Sequence, residues 1–152
     1  MKPVNIETKS DIIYVCGLIE QVGRLTKNQN RDIVKLMGEE GIRWHLNQAA
    51  LSHCLSLDEV AEELISEYHI PMGNFDRTNR VESVPPPMHV ARTYKSLIVN
   101  IAEATGQLLP QIIYDVFTSF ISDEISDFTT STFYENPSFI YHSYLEGHLL
   151  ND

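Results

Sequence analysis

Residues 106–117 read GQLLPQIIYDVF and residues 23–34 read GRLTKNQNRDIV, and the likeness between these two stretches decides the predicted fold. At a shift of 83 positions the identical pairs are Glu20 and Glu103, Gly23 and Gly106, Leu25 and Leu108, Asp32 and Asp115, and Ile42 and Ile125. The predicted helix starts also agree, because Lys27, the residue after the predicted Thr26 cap, is aligned with Pro110. Proline suits the first position of a helix, where its missing N–H would have no partner. We therefore predict that one helical unit occurs twice in the chain.

The first predicted unit covers residues 1–70 and has apolar residues at helical spacing in four segments. The predicted helices are 11–25, 26–37, 42–53 and 56–68. Thr26 and Ser56 are each followed three residues later by Gln or Glu, the capping-box pattern, so we expect both to begin helices. Gly38 or Gly41 is expected to end the second helix.

The same spacing predicts which side chains of the first unit are buried. The first helix is expected to bury Ile12, Val15, Cys16, Ile19 and Val22. The second is expected to bury Ile33, Leu36 and Met37, and the third Trp44, Leu46 or Ala50, and Leu51.

The second predicted unit, residues 89–152, repeats the plan, and its last helix follows at a shift of 80. At this shift Asn136 corresponds to Ser56 and Pro137 to Leu57. Asn136 is a favoured capping residue, and Pro137 suits the first turn of a helix. Between the units, residues 71–88 are rich in turn residues and end in a triple proline, so we predict a linker. The predicted fold is all-α, with two similar units of about four helices each packed together through this Pro-rich linker, because units this small are marginally stable alone.

Acidic residues are concentrated towards the end of the chain. Residues 1–70 carry seven Lys and Arg against eleven Asp and Glu, a sum of −4, whereas residues 89–152 carry two against eight, a sum of −6. Such a surface repels nucleic acid and favours a basic protein partner. Its carboxylates would steer association and its tyrosines would supply affinity. The predicted partner-binding residues are Asp123, Glu124, Asp127, Glu135, Tyr141, Tyr144 and Glu146.

The composition is that of a globular protein, with 152 residues, 43% hydrophobic and 21% charged, and a net charge of −10. No apolar run approaches the roughly 18 residues needed to span a bilayer, and the first residues lack the order of a signal peptide. We expect a cytoplasmic protein that binds neither membrane nor nucleic acid directly, and a homo-oligomer remains open. Cys16 and Cys54 are expected to be reduced and structural.

The sequence contains no catalytic signature, so it predicts no enzyme, no cofactor and no metal. The usual phosphate-binding, dinucleotide-binding, hydrolase and zinc-protease motifs do not occur in it. His45, His53 and Cys54 are close in sequence but lack the short paired spacing of structural zinc sites. A small helical enzyme or metal-binding protein built on these three residues is one alternative. Another is an acidic protein that mimics DNA and inhibits a nucleic-acid-binding protein.

Several features of residues 12–68 occur together in a known order. They are an apolar first helix ending near Ile19 and Glu20, a Thr-capped second helix, a Gly41-Ile42 joint, a Leu51-Ser-His53 junction and an acidic last helix. In this order they resemble a bacterial domain of unknown function found as short all-helical proteins. The likeness extends faintly over 92–150, where the junction at 133–136 has no histidine, so the chain resembles a tandem copy.

Members of that family are commonly encoded beside ADP-ribosyltransferase-like proteins, in toxin–antitoxin or toxin–accessory pairs. The resemblance therefore implies an antitoxin or accessory subunit whose partner is a toxin of that kind. Together with the acidic charge, it leads us to predict a non-enzymatic protein-interaction module that binds a basic partner.

Overall fold

The computed structural model describes residues 3–52, 54–79 and 81–150, which form helices and loops without a strand. Within them the α-helices are α1 (Ile6–Thr26), α2 (Asn30–Ser52), α3 (Leu57–Glu67), α4 (Pro87–Thr105), α5 (Leu109–Phe117), α6 (Phe120–Ser126) and α7 (Pro137–Glu146). A single 3₁₀ turn, Thr132–Tyr134, lies between α6 and α7. The predicted all-α class is confirmed.

Helix α1 ends at Thr26, so the predicted capping role of this residue is wrong. Asn5 caps the start of α1 by accepting a hydrogen bond from a first-turn N–H at 2.7 Å. At the other end Thr26 is buried, and its hydroxyl donates to the Val22 carbonyl at 2.7 Å. Lys27 then closes the helix in the left-handed region at φ 57°. Because the Thr26 hydroxyl is used within α1, it starts no new helix, and α2 begins at Asn30.

The other predicted caps are confirmed. The Ser56 hydroxyl accepts a hydrogen bond from the Glu59 N–H at 3.1 Å and begins α3. The Asn136 side chain accepts from the Ser138 N–H at 2.8 Å, and Pro137 occupies the first turn of α7. In each case a side-chain oxygen satisfies a backbone donor that has no partner within the helix.

Helix α2 is kinked at Gly38, where φ is 69° and ψ is 173°. Side chains other than hydrogen are strongly disfavoured in that backbone region, so glycine permits the break. The kink divides α2 into two helical segments, in agreement with the prediction that a glycine would end the second helix there.

Part of the predicted core of α2 is wrong on both sides of the kink. Leu36, Trp44 and Leu51 are 47%, 52% and 71% exposed. Apolar residues occupy more than one face of these segments, and the neighbouring helices bury a face other than the predicted one. The side chains buried beyond the kink are Ile42, His45 and Ala49.

Helix α1 is the centre of the fold. All seven residues from 14 to 20 are buried, so this helix is covered on every side. It packs against α2, α3 and α4, while α2 also packs against α5. A Cβ at Gly17 would lie 2.7 Å from the Met88 sulfur, so the absence of a side chain there lets α4 approach α1 closely. The helices of the two predicted units thus share one core, although the likeness of the units and their boundaries stay predictions.

The first residues of the predicted linker, 71–75, lie against the end of α1. The Gly73 N–H donates to the Thr26 carbonyl at 2.7 Å, and the Phe75 N–H donates to the Lys27 carbonyl at 2.8 Å. A Cβ at Gly73 would lie 2.5 Å from that Lys27 oxygen, so the approach requires glycine. These bonds direct the next residues of the linker into the interior, and its final two residues begin α4.

Candidate functional site

A buried cluster of charged side chains lies where the linker crosses α1. Glu20 is fully buried, and Arg77 of the linker is 2% exposed. The Arg77 Nη1 donates to Glu20 Oε1 at 3.0 Å, while the Arg24 Nε donates to Glu20 Oε2 at 2.7 Å. Two arginines therefore share one carboxylate, and the three side chains together carry a net charge of +1.

Asn30, at the start of α2, completes the cluster. Its Nδ2 donates to Glu20 Oε1 at 2.9 Å, and its Oδ1 accepts from Arg77 Nη1 at 2.7 Å. The Arg77 Nη2 also donates to the Asn28 carbonyl. A Cβ at Gly23 would lie 2.6 Å from that Nη2, so α1 has a glycine where the guanidinium passes.

The cluster keeps Glu20 ionised. Burial by itself would raise the pKa of this carboxyl group, but the charges of Arg77 and Arg24 and the hydrogen bond from Asn30 lower it below its ordinary value. Removing Glu20 would leave both arginines without their counter-charge, which is strongly unfavourable. Removing Arg77 would leave buried acceptors of Glu20 and Asn30 without their donor, which is also unfavourable. The cluster consequently fixes the linker to α1.

A cavity of about 140 Å³ opens beside the cluster. The side chains that line it come from the α1–α2 joint, the linker and α6: Gln29, Asn30, Phe75, Arg77, Ser122, Asp123, Ser126 and Asp127. Behind the two serines, the Tyr94 hydroxyl lies 3.0 Å from the Ser122 hydroxyl and 3.2 Å from the Ser126 hydroxyl. The inner wall is therefore polar although it is buried.

The structure brings two of the predicted partner-binding residues together at this cavity. Asp123 and Asp127 are one helical turn apart and both line it. Asp123 forms an ion pair with Arg31 of α2, so part of its charge is compensated. Asp127 accepts a hydrogen bond from the Thr129 N–H at 3.1 Å and forms no ion pair with a described residue.

The other predicted partner-binding residues do not line the cavity. Glu124 and Glu135 are half-buried, and Glu146 is exposed at the end of α7. Tyr141 and Tyr144 are half-buried against the core. Burial, and to a lesser degree the nearby Asp115 carboxylate, raises the pKa of Tyr144. The tyrosines therefore contribute to packing, with one edge at the surface.

A dense acidic surface lies on α3, within the first predicted unit. Its exposed carboxylates are Asp58, Glu59, Glu62, Glu63 and Glu67, which at about 100° per residue occupy about half of the helix circumference. The opposite half buries Val60, Ala61 and Leu64. None of the five forms an ion pair with a cationic side chain in the described part of the chain. We call these five residues the α3 acidic face.

Sequence reasoning missed the buried cluster, and although it noted an acidic last helix in the first unit, it did not identify that helix as a contact surface. The signal for the cluster was Glu20, an acid among the apolar residues of α1, which needs a buried partner. Nothing in the linker sequence marks Arg77 as that partner. The net charge of residues 1–70 did not indicate the α3 acidic face, because the Lys and Arg residues of α1 and α2 offset its negative charge in that sum.

The residues proposed for the alternative of a metal-binding protein or small enzyme lie in different environments. His45 is buried, and burial lowers its pKa to about 4. Cys54 is exposed, and His53 lies outside the described residues. Cys16 is buried, which raises the pKa of its thiol. Among the residues that can be described, no three His, Cys, Asp or Glu side chains come together as metal ligands.

No helix in the described ranges combines the length and the apolar character required to cross a bilayer. Comparisons with protein-family models, with curated proteins and with solved structures find no match for the chain.

Proposed function

We propose that the protein is a non-enzymatic interaction module that binds a basic protein partner, and that the α3 acidic face is its main contact surface. The observation that supports this proposal is the set of five exposed carboxylates on α3 without ion pairs inside the described chain. Surface carboxylates that have internal partners contribute little to an external field. Unpaired ones raise the association rate with a cationic surface.

The second-unit residues are the weaker contact in this proposal. Asp123 shares its charge with Arg31, and Tyr141 and Tyr144 are half-buried. The family resemblance described above points to an ADP-ribosyltransferase-like toxin as the partner, which would make the protein an antitoxin or an accessory subunit.

We also propose that the two halves of the chain arose by duplication of one helical unit. The element order supports this: long α1 and α4 are followed by short helical segments, with a break before the last helix in both halves. The left-handed residues Lys27 and Gly106 are 79 positions apart, and the caps Ser56 and Asn136 are 80 apart. A shift of 79 to 80 therefore matches the turns better than the shift of 83 expected from identities.

A capture experiment with matched variants tests the proposed contact surface. The tagged protein is used to capture partners from an extract of its native host at low and high salt. We expect a partner that elutes as salt rises, because exposed charge interactions are screened within about 10 Å at 0.1 M salt. The triple variant Glu62→Gln, Glu63→Gln and Glu67→Gln should lose that partner.

The matched control neutralises three carboxylates of the second unit, with Glu124→Gln, Glu135→Gln and Glu146→Gln. This variant should retain most of the binding. If the control loses the partner while the α3 variant keeps it, the contact surface is the one predicted from the sequence. If no variant alters capture, the electrostatic proposal is wrong.

The row of charges on α3 supports DNA mimicry as a second candidate function. Residues 58 to 67 span about 13.5 Å of helix axis, and five exposed carboxylates lie along one side of this segment. Duplex DNA also presents a dense row of negative charges, so a cationic groove that binds DNA would attract α3 as well. This candidate predicts that duplex DNA competes with the protein for the partner. Partner binding that is insensitive to saturating DNA would exclude it.

A further inference from the structure

We propose that the outer side of α2 binds an amphipathic helix of the basic partner. The apolar side of that helix packs on Trp44 and Leu51, and its Lys or Arg residues lie beside Glu63 and Glu67 of α3. This inference rests on the function proposed above and adds to it the kind of segment through which the partner binds.

An apolar row runs along the surface of α2 beyond the kink. Trp44 is 52% exposed, Leu51 is 71% exposed, and Leu55, in the turn that leads to α3, is 44% exposed. Trp44, Gln48 and Leu51 are separated by four and then three residues, which places them on one side of the helix. Coiled coils use the same spacing for the residues that face a partner helix. We call these four residues the α2 row.

The α2 row contains an aromatic anchor and one polar residue. The Trp44 ring packs edge-on against the buried His45 ring, with 4.8 Å between the centroids, so the core holds one side of the indole while the other is at the surface. Tryptophan is among the residues that contribute most to binding at interfaces. Gln48 is half-buried within the row, and a single polar residue in an apolar seam fixes the register of the helices that meet there.

Glu63 of α3 lies near the Leu51 end of the row. The Tyr14 hydroxyl donates to the carbonyl of Ser52, the residue after Leu51, at 3.4 Å. Burial raises the pKa of Tyr14, and the charge of the Glu63 carboxylate raises it further. Ser52 and Glu63 are therefore both close to the same hydroxyl group.

Glu67 lies near the Trp44 end of the row. Tyr68, the next residue in the chain, has its ring 6.2 Å from the His45 ring, which in turn contacts Trp44. Glu63 and Glu67 are four residues apart, or about one helical turn. Together they form an acidic border along the apolar row.

The charge of this surface favours a basic partner over a second copy of the chain. Glu63 and Glu67 have no ion pair within the ranges that the structure covers. Arg43, a cation on the exposed side of α2, is already paired with Glu40 at 2.7 Å. Two copies that met here would oppose these carboxylates across the interface, and each chain has a net charge of −10. A helix with Lys or Arg beside its apolar side would instead pair with them.

Model peptides test the inference with the intact protein, because Trp44 is the only tryptophan of the chain and its fluorescence reports contact with the row. The probe is a labelled helical peptide of about 20 residues, long enough to form a helix, with leucines at coiled-coil spacing and lysines beside them. We expect it to bind and to shift the Trp44 emission to shorter wavelength. A scrambled peptide of the same composition and a peptide with glutamates in place of the lysines should bind at least about tenfold more weakly.

The outcomes separate this inference from the proposed function. If the scrambled lysine peptide binds as tightly as the amphipathic one, without a shift of the Trp44 emission, the acidic face remains a contact surface and the α2 row is not part of it. If the glutamate peptide binds as tightly as the lysine peptide, the electrostatic part of both proposals is wrong. The absence of binding by the amphipathic lysine peptide would also overturn the inference.

A leucine variant tests the apolar row. Leu51→Ser should weaken binding of the amphipathic lysine peptide about tenfold and leave the scrambled peptide unchanged. The matched control is Leu145→Ser, at a position on α7 that is 57% exposed, and it should change neither. Equal effects of the two serine variants would contradict the assigned position.

A pair of charge variants on α3 tests the acidic border. Glu63→Gln with Glu67→Gln should weaken the amphipathic lysine peptide more than Asp58→Asn with Glu62→Gln. The second pair carries the same charge on the opposite flank of the helix, and exposed charges are screened over about 10 Å at 0.1 M salt. A larger loss from the second pair would place the docked helix on the other side of α3.

Discussion

The α1–α2 joint and the α4–α5 joint have similar backbone conformations, but only the first is covered by another segment of the chain. Each first helix ends at a left-handed residue, Lys27 at φ 57° and Gly106 at φ 70°, and a short connection leads to the next helix. The linker lies over the first joint and hydrogen-bonds to Thr26 and Lys27. At the second joint, residues 104–108 are all exposed.

The difference shows that local sequence can set the course of a turn while a distant segment sets its environment. At the covered joint Glu20 is fully buried and needs Arg77. Glu103, one turn before the open joint, is half-buried and accepts a hydrogen bond from the Val4 N–H at 2.8 Å. The same residue type is thus part of a buried ion cluster at one joint and of a half-buried hydrogen bond at the other.

The change with the largest expected effect is Arg77→Met. It leaves Glu20 with Arg24 as its only cationic partner and the buried Asn30 Oδ1 without its donor, which should lower the free energy of unfolding by about 3 kcal/mol. Urea unfolding measures this value directly. The matched control is Arg92→Met, at an exposed position near the start of α4, and should change stability by less than about 0.5 kcal/mol. Equal effects would mean that the ion cluster does not hold the linker in place.

Alanine substitutions at the two joints compare them directly. The Cβ of Gly23→Ala would lie 2.6 Å from Arg77 Nη2 and 2.7 Å from Asn30 Oδ1, so we expect a loss of about 1–3 kcal/mol. Gly106→Ala meets no neighbouring atom within 4 Å among the described residues, and only the positive φ opposes it, at about 1 kcal/mol. Thermal unfolding of both variants gives the order. A larger loss at Gly106 would contradict the steric explanation.

As the pH falls, α2, which follows the covered α1–α2 joint, should lose stability before α5 and α6, which follow the exposed α4–α5 joint. His45 in α2 has a pKa lowered to about 4 by burial, against an ordinary value of 6.5, and neither α5 nor α6 contains a histidine. The neutral ring is favoured in the folded protein, so its contribution is complete above pH 6.5 and is lost as pH falls towards 4. We expect a loss of up to about 3 kcal/mol, because each unit of the difference between these two pKa values corresponds to about 1.4 kcal/mol.

Hydrogen exchange of α2 amides between pH 7 and pH 4, with correction for the intrinsic rates, follows this loss. His45→Leu should remove most of the pH dependence in that window, and the exposed His142→Leu is the control. If His45→Leu retains the wild-type pH dependence, another group is responsible.

The smallest expected effect is a gain from Lys27→Gly. Glycine adopts the left-handed conformation without the steric cost that lysine bears, so the covered joint should become more stable by up to about 1 kcal/mol. Lys35→Gly, inside α2, should instead lower stability by about 1 kcal/mol through loss of helix propensity. Denaturant midpoints distinguish the two, and a loss at Lys27 would show that its side chain has a role in the joint.

The parts of the fold that were predictable are those that depend on near neighbours in sequence. Ser56 and Asn136 cap their helices through residues two or three positions away. Thr26 also matched a capping pattern, but its hydroxyl can donate backwards to Val22 as easily as it can accept ahead, and the pattern does not decide between them.

The parts that were not predictable depend on residues far apart in the chain. Arg77 and Glu20 are 57 positions apart, and no periodicity links them. Trp44 was expected to be buried because apolar spacing does not show which neighbouring helices pack beside the segment after Gly38. The cavity combines residues of the α1–α2 joint, the linker and α6, so only two of its residues, Asp123 and Asp127, were identified in advance.

The burial of α1 between α2, α3 and α4 has a consequence for dissecting the protein into fragments. Residues 1–70 produced alone would present the α4-facing side of α1 to water, with Glu20 separated from Arg77. Residues 89–152 alone would expose the matching side of α4. Such fragments should aggregate singly and recover solubility when they are coexpressed with the linker attached to one of them.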